Sequence, residues 1–172
     1  MKQSTPSVLN PRELTLLALF AALMVTLQVV MSFIPNVHPV ALLVILLTVH
    51  LGWKAMFSVA AFVILEGLIY GFGIWWFNYL YVWPILVCVV MALRRHSSPL
   101  LWAMVAAIYG LLFGTLCSVP YFVSGGWAAG IAYIIAGIPY DVAHCFGNLA
   151  AVALLYVPLD RVMVRCLTPK KW

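Results

Sequence analysis

Long apolar stretches alternate with short breaks rich in glycine, proline and polar residues along the whole chain. Breaks of this kind end helices, and they occur at residues 35–39, 52–54, 71–73, 94–99 and 124–126. The pattern predicts spanning helices over residues 13–33, 40–52, 54–72, 77–93, 100–123 and 128–158. Because the last stretch is longer than one crossing requires, we expect Gly137 and Pro139 to divide it. The predicted fold is an all-α bundle of six transmembrane helices that forms a single domain, residues 1–172.

The composition restricts the class of protein further. Of the 172 residues, 66% are hydrophobic and only 8% are charged. A water-soluble domain of this size would expose too much apolar surface with that composition. The chain is therefore expected to be an integral membrane protein surrounded by the lipid bilayer. Its four cysteines show no paired spacing, so we expect free thiols, with no disulfide, metal site or cofactor.

The basic residues all fall on one side of the membrane when the chain is traced back and forth through the six predicted spans. They are Lys2, Arg12, Lys54, Arg94, Arg95, Arg161, Arg165, Lys170 and Lys171. Cytoplasmic loops are the ones enriched in Lys and Arg, so both termini are predicted to be cytoplasmic. Contact between this basic rim and anionic lipid explains the net charge of +5. No nucleic acid is expected as a partner.

Polar residues interrupt the apolar spans near their predicted outer ends. Asp141, His144 and Asn148 in "IPYDVAHCFGN" are spaced by three and seven residues, which places them on one helix face. Glu66 lies about 18 Å along its helix from Lys54 and hence in the outer half. Ionisable groups in a bilayer face a cavity or one another. Either these residues bind a ligand, or they hydrogen-bond one another and hold helices together.

The segment "YGFGIWWFNYLYVW", residues 70–83, adds aromatic rings at the same predicted depth. Some of these rings are explained as an interfacial aromatic belt. We interpret the others as a lid that stacks on a planar ligand. With the outer end of the first helix and the first outer loop, they complete a predicted substrate-binding site. Its residues are Gln28, Asn36, His38, Glu66, Tyr70, Trp75, Trp76, Asn78, Tyr81, Asp141, His144 and Asn148.

The first predicted helix contains a second feature, at its inner end. Ala18 and Ala22 form a small-xxx-small pattern that allows another helix to approach closely. Because this pattern lies away from the polar residues, we predict that Ala18 and Ala22 form a docking face for a partner.

Taken in order, these features resemble the S components of energy-coupling factor (ECF) transporters. The resemblance covers nearly the whole chain: six spans with cytoplasmic termini, Ala18-x-x-x-Ala22, "GIPYDVAHCFGN" and then "PLDRVM". It implies a vitamin-binding subunit in the cell membrane of a prokaryote, without an ATPase or enzymatic site of its own. The family's partners are a transmembrane coupling subunit and two ABC ATPases. By this resemblance Ala18 and Ala22 would contact the coupling subunit, and Asn148 would contact the ligand.

The predicted outer half of the chain contains no Lys or Arg. An anion such as biotin, folate or pantothenate would place its charge unpaired beside Glu66 and Asp141, which is unfavourable in a desolvated site. We therefore expect a neutral or cationic, planar ligand. Among the family's substrates, corrinoids, thiamine or its pyrimidine, pyridoxine and queuosine precursors meet this condition. The aromatic segment favours a cobalamin-like corrinoid.

Two alternatives from other classes stay open. Glu66 and His144 would serve an intramembrane enzyme, although such enzymes usually show ligand or catalytic spacing on adjacent turns. A self-contained small carrier would show an inverted internal repeat, and the sequence contains none.

Overall fold

All the secondary structure is helical in the computed structural model, which describes residues 9–34, 37–96 and 98–168. The helices are α1 (Pro11–Val30), α2 (Val40–Leu51), α3 (Ala55–Tyr70), α4 (Ile74–Leu93), α5 (Pro99–Cys117) and α6 (Val119–Leu167). A 3₁₀ turn, Gly52–Lys54, joins α2 to α3. The predicted all-α class is confirmed for this part of the chain.

Within the described part of the chain, five helical stretches are long and apolar enough to span a membrane, so their number differs from the six predicted. The difference lies in Val40–Tyr70, which counts as one stretch. Its first part, α2, has only 12 residues, a length of about 18 Å that is shorter than a hydrocarbon core of about 30 Å. The chain nevertheless reverses direction at Gly52 (φ 61°). The evidence is that His38, before α2, and Tyr70, at the end of α3, line the same pocket.

The short helix α2 lies in the middle of the bundle. Residues 40–48 are all buried, and α2 contacts α1, α3, α4 and α6. A helix that is apolar on every face is typical of such a central position. The other helices surround α2 and hold the polar residues between them.

The helices α5 and α6 form a long antiparallel hairpin. The first turns of α6, before Gly126, continue the arm formed by α5. The chain then reverses at Gly126 (φ 72°), within the break predicted at 124–126. On either side of the turn Tyr121 stacks on Tyr133 with ring centroids 4.1 Å apart. Helix α6 continues through Gly137 and Pro139, so the division predicted there is wrong. A proline removes one backbone hydrogen bond, and packing of α6 along the whole of α5 supports the helix across this point.

The described basic residues lie at the end of the bundle opposite the Gly126 turn, together with Glu13 and Asp160. Lys54 forms an ion pair with Glu13 at 2.8 Å, and His50 Nε2 lies 2.8 Å from Asp160 Oδ1. The first contact joins the start of α1 to the start of α3, and the second joins the end of α2 to the C-terminal part of α6. We call this region the basic end; its described basic residues are Arg12, Lys54, Arg94, Arg95, Arg161 and Arg165.

Candidate functional site

A cavity of about 340 Å³ lies between α1, the loop before α2, α3 and α4. We call it the polar pocket; its side chains include Gln28, His38, Glu66, Tyr70, Trp75 and Tyr79. Along α3 it is about 18 Å from Lys54, so it lies away from the basic end. Five of the nine residues that line the pocket belong to the site predicted from sequence, and Met31, Ser32, Ile34 and Tyr79 were missed.

Local sequence explains how these side chains meet. Helix α3 ends at Tyr70 because Gly71 adopts a positive φ of 85°, a conformation that favours glycine. The chain then turns and α4 begins at Ile74. Trp75 and Tyr79 are four residues apart and so share one face of α4. That spacing was the signal that would have identified Tyr79.

Glu66 is the central polar group of the pocket. It is fully buried, with 0% of its surface exposed. Gln28 Nε2 donates hydrogen bonds to Glu66 Oε2 at 2.7 Å and to the Tyr79 hydroxyl at 3.1 Å. Among the described residues, Glu66 Oε1 and Gln28 Oε1 have no hydrogen-bond partner. Two residues of the pocket lining thus each carry a buried acceptor atom without a partner, and Gln28 ties α1 to α3 and α4.

His38 lies in the loop before α2, where it forms another wall of the pocket. Burial lowers the pKa of His38 to about 4, because desolvation disfavours the charged ring. Its Nδ1 has no hydrogen-bond partner in the described part of the chain. The ring lies 5.5 Å from that of His144. His38 is therefore neutral near pH 7 and connects the pocket to α6.

The aromatic residues of the 70–83 segment divide into two groups. Trp75 stands perpendicular to Tyr70 and Tyr79, with ring centroids 6.4 and 5.3 Å away, and these three rings border the pocket. Trp76 instead donates its indole N–H to the Val63 carbonyl at 2.9 Å.

Asn78 and Tyr81 also lie outside the pocket lining. The Tyr81 hydroxyl is 2.8 Å from Asn78 Oδ1 and 2.7 Å from the Leu116 carbonyl oxygen. These contacts join α4 to α5, so Asn78 and Tyr81 act in helix packing. The aromatic segment thus contributes one wall of the pocket, and its other polar groups hold neighbouring helices.

The polar face of α6 packs against α5 and does not meet Glu66. The Gly114 N–H donates to Asp141 Oδ1 at 2.8 Å, and Asn148 Nδ2 donates to the Ala106 carbonyl at 3.1 Å. A Cβ at Gly110 would lie 2.8 Å from the His144 carbonyl oxygen. We call Ala106, Gly110 and Gly114 the small-residue groove of α5. The Gly-xxx-Gly spacing of Gly110 and Gly114 was the sequence signal that would have identified α5 as the partner of this α6 face.

Asp141 also borders a second cavity of about 300 Å³, between α5 and α6. We call it the hairpin cavity; Phe113, Tyr133 and Tyr140 line it. His144 lies outside this lining, with its ring 4.8 Å from that of Phe113. The predicted site thus separates into the polar pocket and a set of α6 residues engaged with α5.

The remaining predicted features are Asn36 and the alanine pair of α1. Asn36 is outside the described residues. Ala18 and Ala22 are exposed on α1, about 15 and 9 Å along the helix from Gln28. The predicted docking face is thus a surface separate from the polar pocket.

Independent indications of function are few. Among residues 9–34, 37–96 and 98–168, no group of three His, Cys, Asp or Glu side chains is arranged to hold a metal ion. Comparisons with protein families, with characterised proteins and with solved structures gave no match. A functional assignment therefore rests on the polar pocket and the exposed surface of α1.

Proposed function

We propose that the protein is the membrane-embedded substrate-binding subunit of an ECF-type ABC importer, which captures a water-soluble vitamin or related micronutrient. The observation that supports this most is the polar pocket itself. It combines buried acceptors on Gln28 and Glu66 with a wall of aromatic rings. Pockets that bind small molecules typically have a few placed polar groups within an apolar lining.

The distribution of charge supports an orientation. Basic residues concentrate at the cytoplasmic ends of membrane helices, so the basic end faces the cytoplasm and the polar pocket opens outside. In this orientation α2 and α3 cross as an antiparallel pair, which gives six passes and two cytoplasmic termini. A substrate would therefore enter the pocket from the external side of a prokaryotic plasma membrane.

The surface of α1 supports a partner. Ala18 and Ala22 are exposed, as are their apolar neighbours Leu19 and Leu23. Small residues on an exposed face allow the backbone of another helix to approach closely. The partner proposed for this face is the transmembrane coupling subunit, which is driven by two ABC ATPases.

The volume of the pocket bears on the substrate. A cavity of about 340 Å³ is at the lower end of the range for small-molecule pockets, roughly 300–1,000 Å³. It favours a compact, single-ring member of the expected substrate range over a corrinoid, whose macrocycle and side chains exceed it.

Co-purification tests the assignment. The chain is expressed with a coupling subunit and its ATPases, as wild type and as Ala22→Trp, and both are assayed for complex formation and uptake into vesicles. The tryptophan should separate the helices, so complex and uptake are lost while the protein stays folded. Ala153→Trp is the matched control, because Ala153 is exposed on α6. A complex that survives Ala22→Trp, or is lost equally with Ala153→Trp, would contradict the docking face.

A further inference from the structure

The polar pocket contains unpaired acceptors and has no cation of its own. Gln28 donates its amide N–H groups to Glu66 and Tyr79. This fixes the orientation of the amide, since the flipped amide would direct its oxygen at the Glu66 carboxylate. Gln28 Oε1 is therefore an acceptor, and Gln28 and Glu66 line the same cavity. Neither atom has a hydrogen-bond partner within the described residues.

The sequence supplies no positive side chain to this region. Every residue that lines the pocket lies between Arg12 and Lys54 or between Lys54 and Arg94, and neither interval contains a Lys or Arg. A buried carboxylate is normally paired with a cation or fully hydrogen-bonded. One oxygen of Glu66 meets neither condition, so the pocket is complementary to a positive charge with hydrogen-bond donors.

The walls of the pocket favour the same kind of ligand. Trp75 stands perpendicular to Tyr70 and Tyr79, at interplanar angles of 85° and 87°. Rings set at right angles present both faces and edges to one space, and their faces attract organic cations. An anion would meet the negative faces of the rings in addition to Glu66.

We propose that the polar pocket binds a compact organic cation with at least two N–H donors on one edge of a flat ring, an amidine or a ring-bound primary amine. One donor bonds Glu66 Oε1, a second bonds Gln28 Oε1, and the ring lies against Trp75. This inference rests on the proposed function, because it takes the pocket as the place where cargo is captured. It specifies the chemistry of that cargo.

A matched series of probes tests this chemistry in the full chain in lipid nanodiscs, by isothermal titration calorimetry. Benzamidine is a planar cation with N–H donors, benzamide is its neutral counterpart, and benzoate is the anion. Phenyltrimethylammonium retains the charge without the donors. Benzamidine should bind about tenfold or more tightly than either benzamide or phenyltrimethylammonium, and benzoate should not bind. Binding of benzoate at least as tight as that of benzamidine, or no saturable benzamidine binding up to ~10 mM, would overturn the proposal.

Two variants locate the binding. Glu66→Gln keeps the shape of the side chain and should reduce benzamidine affinity about tenfold while changing benzamide affinity less than about threefold. Asp141→Asn changes the other buried carboxylate in the same way and tests the hairpin cavity. Loss of benzamidine binding in Asp141→Asn but not in Glu66→Gln would overturn the assignment to the polar pocket.

The same preparations separate this inference from the proposed function. A complex with coupling subunit and ATPases in a protein that prefers benzoate would refute the inference and leave the function standing. Glu66-dependent binding of benzamidine in a protein that never joins the complex would refute the function and leave the ligand chemistry standing.

Discussion

Glu66 and Asp141 are both buried acids in apolar helices, yet their surroundings differ. Asp141 lies against the small-residue groove of α5, where the Gly114 N–H donates to it at 2.8 Å. Glu66 lies beside a cavity, where its protein donor is the side chain of Gln28. The neighbouring helix makes the difference. Glycine brings a backbone donor within reach of Asp141, whereas Tyr79 and Trp75 hold helices apart around Glu66 and leave room for a ligand.

This difference separates stability from binding. An acid that is hydrogen-bonded to a neighbouring backbone holds two helices together, and its removal leaves a buried donor unpaired. An acid beside a cavity retains an unpaired oxygen, and after its removal Gln28 still has the Tyr79 hydroxyl as an acceptor. Substitutions at Asp141 should therefore act on folding, and substitutions at Glu66 should act on affinity.

The largest effect is expected from filling the small-residue groove. Gly114→Leu would push a side chain into Asp141 and should lower the free energy of unfolding by about 3 kcal/mol or more, through overpacking and the lost hydrogen bond. Gly137→Leu is the matched control, since a Cβ there comes no closer than 3.9 Å to Asp141. Thermal unfolding in nanodiscs measures both. Equal destabilisation by the two variants would show that the groove is not a close contact.

The two acids themselves give the most direct test of the comparison. Asp141→Ala should lower the free energy of unfolding by about 1–3 kcal/mol and leave the affinity of the folded protein for benzamidine unchanged. Glu66→Ala should weaken that affinity by about 2 kcal/mol and cost less stability than Asp141→Ala, because Gln28 keeps its hydrogen bond to Tyr79. Unfolding and calorimetric titration are measured on both variants. A loss of affinity in Asp141→Ala together with a loss of stability in Glu66→Ala would contradict the comparison.

His38 connects the two regions, and its titration provides a third test. Its pKa is lowered to about 4 by burial, so the unfolded chain binds more protons below about pH 6.5. The contribution of His38 to stability should be full above about pH 6.5 and fall by about 1–2 kcal/mol by pH 5. His144 faces His38 from α6, and Glu66 faces the same cavity from α3.

Unfolding measured against pH in His38→Gln isolates the contribution of this ring. The variant should lose the part of the slope between about pH 6.5 and pH 5 that this ring contributes, about 1–2 kcal/mol. His96→Gln is the control, because His96 is exposed and should keep the wild-type slope. An unchanged slope in His38→Gln would assign the pH dependence to the other groups.

The smallest effect is expected at Tyr79. Its hydroxyl accepts a hydrogen bond from Gln28, and Tyr79→Phe removes this acceptor while keeping the ring. Benzamidine affinity should fall by about 0.5–1.5 kcal/mol because Gln28 is held less firmly. Phe113→Tyr is the control, because Phe113 lines the hairpin cavity and not the polar pocket that contains Gln28. Calorimetric titration measures the effect, and a loss as large as that of Glu66→Ala would mean that the hydroxyl itself contacts the ligand.

Sequence predicted the helical class, the turn at Gly126 and five of the nine residues that line the polar pocket. Each of these follows from local information: apolar runs, glycine and proline breaks, and depth along a helix. The partner of α6 does not follow from such information. The spacing of Asp141, His144 and Asn148 defines a face but not the helix that the face contacts. That choice depends on Gly110 and Gly114 in a distant segment, whose lack of side chains brings the two backbones together.

The α5–α6 hairpin also has a consequence for the lipid around the protein. Its first arm, residues 99–125, is about 40 Å long, against a hydrocarbon core of about 30 Å. In the proposed orientation the tip extends into the headgroup layer, where Trp127, 79% exposed, has the amphipathic ring typical of that layer. When the length of a helix pair exceeds the thickness of the bilayer, the pair tilts or the lipid around it thickens. In that orientation the hairpin would make the tilt of the whole bundle responsive to membrane thickness.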